Sequence, residues 1–135
     1  MRHRSRWTER KVEGGAATVE VVIIFPLLLL TLLLVVQFGL WYHGRHVALA
    51  AAEEGTRAAR VDGGSAAAGA ARARRFLHDL GSSVLVNPQV SASRDQEVAH
   101  VEVSGQALNV VPLLRLPIRA ASQGPVERFR GISSG

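Results

Sequence analysis

Val21-Val-Ile-Ile-Phe-Pro-Leu-Leu-Leu-Leu-Thr-Leu-Leu-Leu-Val-Val36 is the stretch that decides the fold. It is apolar on every side, with no 3.6-residue stripe to mark a single buried face. No Asp, Glu, Lys, Arg or His interrupts the 22 residues from Val21 to Tyr42. At about 1.5 Å per residue, a helix of that length reaches ~33 Å and crosses a hydrocarbon core of ~30 Å. A buried core helix is the competing reading, but the rest of a 135-residue chain cannot enclose such a cylinder. Trp41 and Tyr42 close the stretch, as amphipathic rings do at a membrane interface. The stretch reads as a membrane helix.

Charge sets its direction. Arg2, Arg4, Arg6, Arg10 and Lys11 precede the helix against Glu9 and Glu13, whereas Arg45, Arg57 and Arg60 beyond it are offset by Glu53, Glu54 and Asp62. The positive-inside tendency then predicts a single-pass protein of the cell membrane, N-terminus cytoplasmic and C-terminus extracytoplasmic. A cleaved secretory signal would use Ala48-Leu49-Ala50 as its small-x-small site. The apolar run is too long for that, and Trp41, Tyr42 and Arg45 intervene. The chain carries a formal charge of +5, no cysteine and only 5% aromatic residues. Disulfide staples and cysteine-based zinc sites are therefore excluded, and an aromatic-rich core is not available.

The join between the basic leader and the helix is Lys11-Val-Glu-Gly-Gly-Ala-Ala-Thr-Val-Glu20. Glu20 is an ionisable group at the head of a membrane span, a costly placement that usually marks function. Gly14 and Gly15 are poor helix formers, so the helix is expected to start after them and leave the backbone open to a protease. A cut between Gly15 and Ala16 would create an α-amine one helical turn from Glu20. In a stack of such helices that amine could pair with the Glu20 carboxylate of a neighbour, which offsets the desolvation of both charges and fixes the stagger. Pro26 removes an N–H from the helix and is expected to kink or loosen it.

A basic leader, a Gly, a Glu five residues later and an apolar helix resemble the processing site of type IV prepilins. Gly15-Ala-Ala-Thr-Val-Glu20, Phe25-Pro26-Leu27-Leu28, Gln37-Phe38-Gly39 and Ala51-Ala-Glu-Glu-Gly-Thr-Arg-Ala-Ala59 narrow this to a resemblance to the TadE-like family. Members often carry Glu-Phe-Gly where this chain has Gln37-Phe38-Gly39. The resemblance implies a minor pilin or pseudopilin, a structural or assembly subunit of a tight-adherence (Flp, type IVb-like) pilus or related secretion system. It also implies cleavage by a prepilin peptidase, and partnership with other pilin subunits, the assembly platform and the lipid bilayer. The alternative is an unprocessed bitopic protein whose external module binds a partner.

The remaining sequence predicts an α+β fold: the N-terminal transmembrane helix extended past the membrane, a second helix and a small antiparallel β-sheet. The divisions are a leader at 1–15, the long helix at 16–62, an extracytoplasmic module at 65–124 and a loose tail at 125–135. Asp62-Gly63-Gly64 breaks the first helix, within which Glu53 and Arg57 are spaced to pair. Ser65 caps a second helix, whose apolar side is Ala66, Ala70, Ala73, Phe76, Leu77 and Leu80, and Gly81 ends it. Gly69 inside that helix is unfavourable by up to about 1 kcal/mol. Val84–Val86 is a strand ended by a turn at Asn87-Pro88, and Val90–Ser93 and Ala99–Val103 alternate as a hairpin about Arg94-Asp95-Gln96. Pro112 and Pro117 bracket a loop before a last strand, Ile118–Ser122. His43 and His46 have no third ligand near them, and Arg72, Arg74 and Arg75 have no interleaved aromatics. No metal, cofactor, nucleic acid or catalytic chemistry is expected, and the chain does not read as an enzyme.

Overall fold

The computed structural model describes residues 9–128, with side chains from residue 15 onward, and divides into two units, residues 1–36 and 37–135. The first unit is the start of α1, which runs Glu9–Arg60. From Gly15 to Val36 every side chain is exposed except the half-buried Leu33 and Leu34. An 18-residue window of this helix has a mean hydropathy of 3.0 and is 0% buried, so it is long and apolar enough to cross a membrane. The helix starts earlier than expected, passing through Gly14 and Gly15. Extending a formed helix gains a hydrogen bond per residue without a new nucleus, and two glycines at about 1 kcal/mol each do not stop it.

In the second unit α1 acquires a stripe. Gln37, Gly44, Ala48, Ala51, Ala52, Gly55, Thr56 and Ala59 are buried, with Trp41 half-buried in line, a spacing of three and four residues. The stripe is built from small side chains, and other backbones come close to it. A Cβ added at Gly55 would stand 2.8 Å from the Gly69 carbonyl oxygen, 3.0 Å from Ala73 Cβ and 3.1 Å from Val101 Cγ1. Gly69 faces back, where a Cβ would meet Ala59 Cβ and the Gly55 carbonyl, each at 2.8 Å. The helical cost of Gly69 is thus offset by close backbone approach between α1 and α2 (Ala66–Phe76). Gly55→Leu is expected to force these helices apart and destabilise the unit by about 1–3 kcal/mol, read as a lower urea midpoint. Gly39→Ala, where an added Cβ meets nothing within 4 Å, should leave the midpoint unchanged.

After α1, Gly63 turns at φ 74° and the Ser65 hydroxyl accepts from the Ala68 amide at 3.0 Å, the expected cap. α2 then passes into a π turn, Leu77–Gly81. The wider turn rotates the apolar side, so Leu77 and Gly81 are buried while Leu80 is 61% exposed, contrary to its expected place in the core. The sheet is antiparallel, in the order β1 (Leu85–Arg94), β2 (Val98–Ala107), β3 (Pro117–Pro125). Asn87-Pro88 does not end a strand. It shifts the register of β1 between Val86 and Gln89, with Asn87 at φ 50°, and β1 continues beyond it. Asp95 closes the hairpin, its Oδ1 accepting from the Val98 and Glu97 amides at 2.7 Å each. These two bonds, that from Val98 foremost, hold its carboxyl below the ordinary value.

Ala99, Val101 and Val103 of β2, with Ile118 and Ala120 of β3, face a core that includes Ala48, Ala51, Ala52, Ala73 and Leu77. Two further expectations are corrected. Glu54, and not Glu53, pairs with Arg57 (2.8 Å), because Glu54 also reaches Arg72 of α2 (3.3 Å) and bridges the two helices. The expected loose tail is tied down as far as the described residues extend. The Val126 amide donates to Glu97 O and the Glu127 amide to Arg60 O, both at 2.8 Å. Residues 1–8 of the leader and 129–135 of the tail lie outside the described residues.

Candidate functional site

Gly15, Ala16, Glu20 and Pro26 all lie on α1 and are all exposed. Space around Gly15 is open, with nothing within 4 Å of an added Cβ. Ala16 and Glu20 stand four residues apart, on one helix face and about 6 Å apart along the axis. A shallow apolar groove at Glu20 is lined by Val21, Ile24, Phe25 and Leu28. A carboxylate beside a band of unburied Val, Ile, Phe and Leu can offer a neighbouring helix both an apolar contact and a charge partner. The helix continues through Pro26, which has no N–H to donate to the Val22 carbonyl.

Sequence reasoning missed the part played by Gln37. This side chain is fully buried and makes three bonds to the loop that joins β2 to β3. Its Nε2 donates to Leu108 O at 3.0 Å, while its Oε1 accepts from the Val110 amide at 2.8 Å and the Val111 amide at 3.2 Å. One primary amide thus satisfies a donor pair and an acceptor of a strand-free segment, which neither an apolar residue nor a carboxylate could do in full. Trp41 follows one turn later, its Nε1 donating to Pro117 O at 3.0 Å. It therefore holds the start of β3 against α1. Thr56 shares its hydroxyl proton between Ala52 O (2.9 Å) and Ser122 O (3.1 Å), tying β3 to α1. The available signal was the three-and-four spacing of Gln37, Trp41, Gly44 and Ala48, where an amide, an indole N–H and two small residues follow the Leu-rich run.

His46 packs edge-on against Tyr42, with centroids 4.4 Å apart, and Arg45 lies 5.8 Å over the Trp41 ring. Among the described residues no group of three or more His, Cys, Asp or Glu could hold a metal ion.

These features define a class: a small α+β module on a helix whose first part is an unburied apolar span headed by a carboxylate. Residues 15–57, the apolar helix and its continuation as far as Arg57, match the family model for TadE-like protein. Comparison with curated proteins and with solved structures finds no match.

Proposed function

We propose that the chain is a minor pilin-like subunit of a tight-adherence pilus, anchored by residues 21–42 with its C-terminal module outside the cell. A prepilin peptidase cuts it between Gly15 and Ala16, and the new amine of Ala16 pairs with Glu20 of an adjacent subunit as helices leave the bilayer for the assembly. The observation that carries this reading is the TadE-like match, which begins at Gly15 and holds Glu20 at the head of the exposed apolar helix. Gly15→Trp is expected to abolish processing, because a bulky ring crowds the scissile bond. Immunoblots of cells carrying the variant should show only the longer, unprocessed form; wild-type processing of Gly15→Trp would reject the assigned bond.

One observation favours the second reading, a bitopic protein that keeps its leader and binds a partner through its module: α1 already runs through the bond in question. The peptidase must open about one helical turn at Gly14-Gly15, and glycine is the residue that makes opening cheapest.

Pro26 is given a mechanical role in the same proposal. The unpaired Val22 carbonyl finds no partner in lipid, so the helix is weakest there while it sits in the membrane. Pro26→Ala restores the bond and should retain more mature protein in the membrane and less in sheared pili, with cleavage unchanged. Equal partitioning of the two forms would show that the proline is merely tolerated.

A further inference from the structure

Leu108-Asn-Val-Val-Pro-Leu-Leu-Arg-Leu116, the β2–β3 loop, presents apolar side chains where a soluble loop would present polar ones. Leu113 is 98% exposed, and its φ of 67° lies in the left-handed region that disfavours a residue with a Cβ. A bulky apolar side chain held outward on a strained backbone points to use at that position. Leu108 and Val110 of the same loop are exposed as well.

The loop's position on α1 identifies the occupant. It is bonded to Gln37, five residues and about 7.5 Å inside the Tyr42 end of the uncharged stretch, and leaves toward β3 at Pro117, bonded to Trp41. The loop therefore lies on the lipid side of the Trp41–Tyr42 boundary. Several of its backbone groups are already bonded within the protein. Beyond the amides of Val110 and Val111 held by Gln37, the Leu114 amide donates to Val111 O (3.2 Å) and the Ala107 amide to Leu116 O (3.0 Å). In the orientation that satisfies both of its groups, the Asn109 side-chain amide donates to Leu114 O (2.6 Å) and Val111 O (2.5 Å). These bonds satisfy part of the loop's backbone internally, which lowers the cost of bringing it to a lipid surface. Arg115, exposed at the rim, has the length to reach headgroup phosphates while its stem stays apolar.

We propose that the β2–β3 loop is a second membrane contact, with Leu113 inserted into the outer acyl–headgroup boundary. The inference rests on the reading of residues 21–42 as a membrane span. It gives the module a fixed attitude at the bilayer surface before extraction, since two points of contact hold what a single helix would leave free to rotate.

Because the chain has no cysteine, single-cysteine variants report one position each. The full chain carrying Leu113→Cys, Leu30→Cys or Gln96→Cys is labelled with an environment-sensitive fluorophore and placed in nanodiscs of phosphatidylcholine and phosphatidylglycerol. Doxyl groups are added near the headgroup or deep in the acyl chains. Position 113 is expected to shift to the blue and to be quenched more by the shallow than by the deep doxyl; position 30 is quenched more by the deep one, and position 96, at the hairpin turn, by neither. Quenching at 30 without quenching at 113 overturns the loop proposal and leaves the span intact. A blue shift at 113 that doxyl lipid does not quench means that a second chain covers the loop, and also overturns it. Absence of quenching at 30 rejects the span itself and the loop contact with it.

Discussion

Gln37→Leu is expected to free the β2–β3 loop while leaving the membrane helix in place. The substitution is nearly isosteric and more apolar, so it costs the span nothing. It leaves the Val110 and Val111 amides and the Leu108 carbonyl without their partner, at about 1–3 kcal/mol for each group that stays buried. Some relief by water or lipid headgroups leaves an expected loss of about 2–4 kcal/mol. Amide hydrogen exchange reads this locally: Val110 and Val111 should exchange far faster, with the β1–β2 hairpin less affected. Gln37→Glu keeps both accepting bonds, but as a carboxylate it buries an unpaired charge against the Leu108 carbonyl, so its loss should be at least that of Gln37→Leu. Unchanged protection at Val110 and Val111 in Gln37→Leu would show that the amide is not what holds the loop.

Glu20→Ala carries the largest expected functional effect. Removing a carboxylate from the head of an apolar helix favours insertion, so the amount of membrane-bound protein should not fall. In the proposed assembly, however, the Ala16 amine would face a low-dielectric helix stack with no counter-charge. An uncompensated buried charge costs about 3–5 kcal/mol, equivalent to a loss of roughly two to four orders of magnitude in the incorporation equilibrium. Quantifying the subunit in sheared pili against the membrane fraction measures it, with cleavage followed in parallel. Wild-type incorporation of Glu20→Ala would remove the pairing role without touching the anchor.

The contrast between these two residues shows where sequence reading works. A charge at the edge of an apolar run is conspicuous because nothing local compensates it, and Glu20 stands out for that reason. The hairpin about Asp95 and the Ser65 cap were legible because each is set by residues within three positions. Gln37 belongs to the other kind. Its partners lie 71 to 74 residues away, and only the tertiary structure reveals that its amide completes a loop.

The core was hard to anticipate for a related reason. With few aromatics, the unit gains contact by bringing backbones together at Gly55 and Gly69, and a glycine read as a helical defect is in fact the contact point. The π turn at Leu77–Gly81 and the register shift at Asn87-Pro88 each alter a local period, which moved Leu80 out of its expected place and joined two expected strand segments into β1. Neither irregularity follows from hydrophobic spacing alone. The Glu54 bridge likewise depends on Arg72, a residue of the next helix.

The proposed function has this chain enter a pilus assembly as a processed, pilin-like subunit. Its most direct test is the N-terminus of the protein extracted from membranes of cells that assemble the pilus, read by intact mass and terminal sequencing. The expected chain begins at Ala16, its basic leader gone and its new amine one turn from Glu20. A chain that still carries residues 1–15 in those cells would contradict it.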